Sequence, residues 1–311
     1  MKYCEGLSAI LGGTAIATAI VITLPSSAMA LTGEEVNDIS REITVLIVDS
    51  KEEGAHGSGF IIAKDGKKTF SVLTAHHVVD VESQYVLITS DKKSHKIDYQ
   101  TIKVLPGVDL AVVQFTADED YKVAKLANSD LAKEGGQVFV SGWPAPAAQV
   151  RERIRLFVPG AITSRLDTAI AQGYSMVYSS ITRGGMSGGP VLDAAGRVIG
   201  IHGLGDSENP DKIEKQLAKI GVPQESAGQI ISLFRLPGYN LGIPINTFLT
   251  GAPQAGLYLS LQVENSPATQ LSAVYTPPEK PDKRDTIDNI SNVLNTIDRV
   301  RGLGCRFGIC L

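Results

Sequence analysis

The sequence predicts an all-β fold built from antiparallel barrels or sandwiches. Three observations carry that expectation. Short apolar, β-branched runs recur along most of the chain, separated by turn material such as KDGKK and DKKSHK. The segment Asp193-Ala194-Ala195-Gly196 joins two of these runs as a hairpin, and alternation of strand and turn at this spacing does not describe a βαβ protein. A polar, charged stretch from Ala117 to Gly136 divides the runs into two groups of similar size.

Taken in order, the chain opens with Thr32-Gly33-Glu34-Glu35, a capping box that starts a short helix leading to Arg41. The first strand group is ITVLIV (Ile43 to Val48), GFIIA (Gly59 to Ala63), FSVLTA (Phe70 to Ala75), YVLITS (Tyr85 to Ser90) and LAVVQF (Leu110 to Phe115). The second is QVFVSG (Gln137 to Gly142), RIRLFV (Arg153 to Val158), YSMVYS (Tyr174 to Ser179), PVLD and RVIGIH (Arg197 to His202). Leu204 to Tyr239 contains the helical pattern DKIEKQLAKIG and is read as an insertion before a last strand, NLGIPI. Beyond Phe248 the proline-rich TPPEKPDKR reads as a linker. After it, Ile287, Ile290, Leu294 and Ile297 share one helix face. Such a helix either docks on its own domain or binds a partner, including a second copy of the chain.

Composition excludes several classes of function. With 311 residues and a net charge of −4, and with basic residues scattered rather than clustered, a nucleic-acid partner is not expected. The N-terminus stands apart. Lys2, an apolar run from Leu7 to Leu24 and the site Ala28-Met29-Ala30 describe a secretory signal cut after Ala30, placing the mature protein in the periplasm or outside the cell. An uncleaved anchor is the alternative. The run is only about as long as a membrane span requires, and Gly12, Gly13, Thr14, Thr18 and Thr23 dilute it. Stable membrane insertion after cleavage is not expected. Cleavage removes Cys4 and leaves Cys305 and Cys310, which suit a small-loop disulfide in an oxidising compartment. Two thiols without nearby histidines are too few for a metal site, and no cofactor motif is present.

One stretch raises the question of chemistry directly. RGGMSGGPVLD, Arg183 to Asp193, sets Ser187 among glycines, and it fits an esterase elbow, a protease loop or a flexible linker. An esterase elbow needs a helix after the serine, and then an acid and a histidine. Here Pro190 and a β-branched run follow, and only His202 lies downstream. The esterase reading fails on both counts.

Two more segments decide the remaining choice. Thr74-Ala75-His76-His77-Val78 ends a predicted strand, and Gly107-Val108-Asp109-Leu110-Ala111-Val112 begins another. With Gly185-Met186-Ser187-Gly188-Gly189-Pro190 in third place, the chain resembles the chymotrypsin-like (trypsin-like) serine proteases. Secreted bacterial enzymes and the HtrA type are the nearest in pattern. The resemblance covers Ser58 to Phe248 and implies two antiparallel six-stranded β-barrels with the active site between them. Residues 1–30 would be the signal, 31–120 the first barrel, 121–250 the second, and 251–311 a C-terminal extension.

The resemblance further implies a serine endopeptidase acting on proteins or peptides without a cofactor. Ser187 would be the nucleophile, His77 the base and Asp109 its orienting acid. The backbone N–H groups of Gly185 and Ser187 would form the oxyanion hole. His77, one residue before Val78, is preferred over His76, which is expected to be structural. The rival is a protease relative that binds or chaperones exported polypeptides with its triad idle.

The chain also departs from its relatives. Digestive enzymes carry an aspartate just before the serine, where this chain has Met186. With about sixty residues past Phe248, the peptide-binding domain of the HtrA type is not expected. Trypsin-like pockets have an acid six residues before the serine, where this chain has Ile181. Thr182 and His202 lie at the spacings used by bacterial glutamyl endopeptidases, so a pocket of Ile181, Thr182, His202 and Gly203 implies cleavage after Glu. A small aliphatic preference, with His202 only a wall residue, is the competing expectation.

Overall fold

The computed structural model describes residues 30–52, 56–66, 68–146, 152–205, 218, 228 and 239–267. The signal segment, Cys305, Cys310, the helical pattern around residues 211–221 and the helix beyond the linker lie outside this set, as a whole or nearly so.

Helix α1, Gly33–Ile43, forms where the sequence expects it. Thr32 Oγ1 accepts from Glu35 N–H while the Glu35 carboxylate accepts from Thr32 N–H, which is the reciprocal cap. The chain then enters a seven-stranded antiparallel sheet made of β1 (Thr44–Asp49), β2 (His56–Asp65), β3 (Thr69–Thr74), β4 (Tyr85–Ile88), β5 (Ser94–Ile97), β6 (Lys103–Val104) and β7 (Ala111–Thr116). Its order is β5-β4-β1-β2-β3-β7-β6, an open half-barrel. Alternation along the strands sends Val45, Ile47, Ile61, Val72, Leu87, Val113 and Phe115 into one apolar cluster.

The second sheet holds β8 (Lys125–Ala127), β9 (Gln137–Gly142), β10 (Leu156–Ile170), β11 (Tyr174–Tyr178), β12 (Pro190–Asp193), β13 (Val198–Leu204), β14 (Asn240–Pro244) and β15 (Gln262–Glu264). Six of these close on themselves through the β12–β13 pairing, giving a true barrel. Strands β8 and β15 attach in parallel outside it. Helix α2, Ile245–Gly251, follows β14 and buries Ile245 and Phe248.

Several boundaries differ from expectation. Within DKKSHK, read as turn material, Ser94 to His95 and Lys96 pair with β4 as β5, because cross-strand hydrogen bonds do not need apolar side chains. The polar break contains β8, whose buried Leu126 is masked in sequence by charged neighbours. The first unit is an open sheet rather than a closed six-stranded barrel. Residues past 250 are not all appendage, since β15 completes the second sheet and the buried Arg197 guanidinium reaches Glu264 and Ser266. Helix α1 precedes the first sheet in sequence, yet it is tied to the second. Arg155 donates to Ser40 Oγ at 3.0 Å, to Ser141 Oγ at 2.7 Å and to Asn37.

Register is what prepares a site. Strands β3 and β7 pair antiparallel with Thr74 opposite Ala111, so the segment just past β3 and the segment just before β7 emerge at the same sheet end. Those segments carry His77 and Asp109. In the barrel, Pro190 lies opposite Ile201 and His202 opposite Gly242, which sets the serine loop beside His202.

Candidate active site

His77 sits on a single 3₁₀ turn, His76–Val78, that caps the end of β3. Its Nδ1 lies 2.7 Å from Asp109 Oδ2, and its backbone N–H donates to Asp109 Oδ1 at 2.9 Å. The neighbouring His76 uses its own N–H on the Asp109 carbonyl at 3.2 Å. His77, not His76, thus meets the carboxylate with its ring.

Asp109 is fully buried. Burial alone would raise its pKa, but the His77 charge, the two hydrogen bonds from His77 and one from Tyr174 outweigh that. They hold it below the ordinary carboxylate value. Tyr174 was not singled out in the sequence. Its hydroxyl donates to Asp109 Oδ2 at 2.5 Å, and the strand β11 that carries it belongs to the other sheet. The hydroxyl can reach because position 203 is glycine. A Cβ there would overlap the Tyr174 ring and hydroxyl.

Ser187 lies in the turn leading into β12 and is 4% exposed. Its backbone carbonyl accepts from Ser58 N–H at 2.8 Å, and its Oγ donates to the Gly203 carbonyl at 2.8 Å. The loop presses on the first sheet close to His77. A Cβ on Gly188 would overlap Thr74 Oγ1 and Ser58 O and lie 2.9 Å from Ala75 N. Gly185 and Gly188 both adopt left-handed backbone, with φ of 97° and 85°, which explains the glycines on either side of Met186-Ser187. At Gly185 the crowding is equally strict, with the His56 ring and Trp143 carbonyl where a side chain would go.

The residues expected to line a specificity pocket divide. His202 and Thr182 are both fully buried, and Gly203 abuts the serine. Ile181 is 67% exposed and does not form a pocket floor. It lies between the end of β11 and the serine loop, outside any strand pairing that would turn it inward.

The surroundings of His202 were not legible in the sequence. Tyr178 Oη stands 2.5 Å from His202 Nδ1. Asn240 donates to the Tyr178 and Ser180 carbonyls, leaving its Oδ1 to accept from Thr182 Oγ1 at 2.5 Å. Burial, with the nearby His77 charge adding to it, pushes the His202 imidazole down to about 3. The ring is therefore neutral at working pH. A phenol that donates to Nδ1 leaves the ring proton on Nε2, and that buried nitrogen meets no hydrogen-bond partner among the described residues.

Met186, the residue before the serine, is fully buried with Val140, Val191 and Tyr178. No charge stands where digestive relatives have an aspartate. Among the described residues no three of His, Cys, Asp and Glu cluster as metal ligands, and no helix is long and apolar enough to cross a membrane.

A paired histidine and aspartate at the end of one sheet, with a glycine-bound serine loop from a second barrel packed on that sheet, is a distinctive arrangement. The family model for the trypsin-like peptidase domain matches residues 57–201. Residues 57–201, which hold His77, Asp109 and Ser187, are thus similar to that domain. Curated relatives agree. Serine protease Do-like HtrA of Bacillus subtilis is 28% identical over 171 residues, 52% of this chain and 36% of that protein. A probable periplasmic serine endoprotease, DegP-like, of Pseudomonas fulva is 30% identical over 158 residues, 49% of this chain and 29% of that protein. The magnetosome formation protease MamE of Magnetospirillum gryphiswaldense is 28% identical over 152 residues, 47% of this chain and 18% of that protein. The chain thus spans well under half the length of these relatives. A solved HtrA-type protease with a tripeptide superposes with a TM-score of 0.52 at 19% identity, covering 72% of this chain and 63% of that one, which shows the fold.

Proposed function

We propose that the protein is an exported serine endopeptidase in which Ser187 attacks the peptide carbonyl and forms an acyl-enzyme. His77 takes the serine proton and later returns it to the leaving amine. Asp109 holds the imidazole in the right tautomer and stabilises its charged form. The oxyanion is received by the N–H groups of Gly185 and Ser187. The observation that carries this reading is the His77–Asp109 contact at 2.7 Å beside the serine loop. Export is supported by the leader-like N-terminus and by the periplasmic naming of DegP-like relatives. Protein or peptide substrates are supported by the tripeptide in the structural neighbour.

Preference for Glu before the scissile bond rests on His202 more than on Thr182. The Thr182 hydroxyl already donates to Asn240, so it has no second proton to offer. Among the described residues His202 Nε2 is buried with no hydrogen-bond partner, and an N–H there is a costly arrangement that a substrate carboxylate would relieve. Being neutral, the ring offers a hydrogen bond rather than a charge.

The test is a fluorophosphonate probe followed by paired peptides. The probe should label the wild-type chain and not Ser187→Ala, and His77→Ala should be as inactive as Ser187→Ala while His76→Ala keeps substantial activity. Peptides differing only in Glu or Val before the cleaved bond should favour Glu, and His202→Ala should erase that difference. Equal or faster cleavage after Val by the wild type refutes the Glu preference. Lack of labelling refutes catalysis and leaves the rival, a binding or chaperone role with an idle triad.

A further inference from the structure

Ser58 stands on β2, in the first sheet, yet its N–H and its hydroxyl both reach the second barrel. It is fully buried. Its N–H donates to the Ser187 carbonyl at 2.8 Å, and its carbonyl accepts from Thr74 Oγ1 at 2.7 Å. Its hydroxyl donates to the Gly185 carbonyl at 2.9 Å and accepts from Trp143 N–H at 2.8 Å. A single side chain thereby fixes the loop before the serine and the end of β9 against each other.

The loop needs such a restraint. Gly184-Gly185 is the most permissive dipeptide that a chain can place there, and nothing stands within 4 Å of where a Gly184 side chain would be. Function requires one orientation. The Gly184 carbonyl is turned to Ala145 N–H, at 2.8 Å, so in the planar trans peptide the Gly185 N–H points the opposite way. Rotation of this peptide would replace a donor with an acceptor where the oxyanion must sit. The Gly185 carbonyl is the next handle on the same loop, and Ser58 Oγ holds it. The Met186 side chain offers no ionic restraint in its place, being apolar and packed in the core.

We propose that Ser58 is a positioning residue that keeps the oxyanion loop in its catalytic form, a latch from one sheet onto the other. This rests on the reading of Ser187 as the nucleophile. It makes the oxyanion hole a property of the inter-sheet contact, which any change at the β2–β9 junction would loosen.

The experiment uses the full chain as wild type, Ser58→Ala, Ser58→Cys and Ser58→Thr, with Ser187→Ala as the unreactive control. The probe is a fluorophosphonate, whose phosphoryl oxygen must enter the oxyanion hole as Ser187 attacks. Rates are followed against pH, and final labelling is quantified by intact mass. Loss of an oxyanion donor slows catalysis by about a hundredfold to a thousandfold, and a loosened donor costs less. Ser58→Ala should therefore label roughly tenfold to a hundredfold more slowly at the plateau, with the pH midpoint unchanged and labelling still complete. Ser58→Thr, which keeps the hydroxyl, should recover most of the rate. A folding defect would instead lower the final labelled fraction without slowing the remainder. If Ser58→Ala does not fold, Ser58→Cys, close in shape and only a weak donor, carries the comparison with the same slowing expected. A labelled wild type with folded Ser58→Ala or Ser58→Cys within about threefold of it, against the hundredfold scale of donor loss, overturns this proposal alone. A wild type that the probe never labels overturns the Ser187 reading and this proposal together.

Discussion

Replacing His202 by Gln separates two things the imidazole does, donating a hydrogen bond and refusing a proton. In the folded chain burial holds its pKa down to about 3, against an ordinary 6.5. Between those values the unfolded chain binds a proton that the folded chain rejects. The group therefore stabilises the fold fully above the ordinary pKa, and that stability is lost as pH falls toward the depressed one. The loss runs at about 1.4 kcal/mol per pH unit. Acidifying from about pH 7 to about pH 5 should cost the wild type roughly 2 kcal/mol from this group alone. Glutamine does not titrate, and its carbonyl can still accept from the Tyr178 hydroxyl, so the polarity of the site is kept. Every other carboxylate and histidine is common to both proteins. Urea unfolding at about pH 7, 6 and 5 should thus show the stability gap moving in favour of His202→Gln by roughly 2 kcal/mol. Parallel pH profiles would refute the buried neutral imidazole, and with it the argument that an unpaired Nε2–H awaits a substrate carboxylate.

Three further outcomes follow from single contacts. Tyr174→Phe removes a hydrogen bond to a buried carboxylate and should destabilise the protein by about 1.5–3 kcal/mol near neutral pH. Because that bond helps hold the Asp109 pKa down, its loss raises the pKa, so on acidification urea titrations should show the variant losing Asp109's contribution at higher pH. Met186→Asp puts an unpaired carboxylate among Val140, Val191 and Tyr178 and should cost several kcal/mol, read as a large fall in melting temperature. An unchanged melting temperature would show that the loop opens to water. Gly203→Ala forces the Tyr174 ring aside, which should cost about 1–3 kcal/mol in thermal unfolding and slow fluorophosphonate labelling.

Much of the protein was determined by the sequence alone. β-branched runs between turns dictate strands wherever they occur, because the strand period of two and the turn chemistry are local properties. The capping box of α1 needs only residues three apart. The three motifs around His77, Asp109 and Ser187 carry their chemistry in their residue types, and the glycines at 185 and 188 announce a backbone that only glycine tolerates freely. What sequence could not decide was everything fixed by contact between distant segments. Strand β5 is polar and β8 is short, and each is recognisable only by the partner it pairs with. Ile181 occupies the spacing of a pocket floor and yet lies exposed, since spacing gives chain distance and not the direction in which a loop turns. Tyr174 on Asp109, Tyr178 on His202, Asn240 on Thr182 and Ser58 on Gly185 are each separated by 24 to 127 residues in the chain. No local pattern marks a hydroxyl as the partner of a group that far away. Closure of the second barrel brings Tyr178 to His202 and Asn240 to Thr182, and its packing against the first sheet brings the other two pairs into reach.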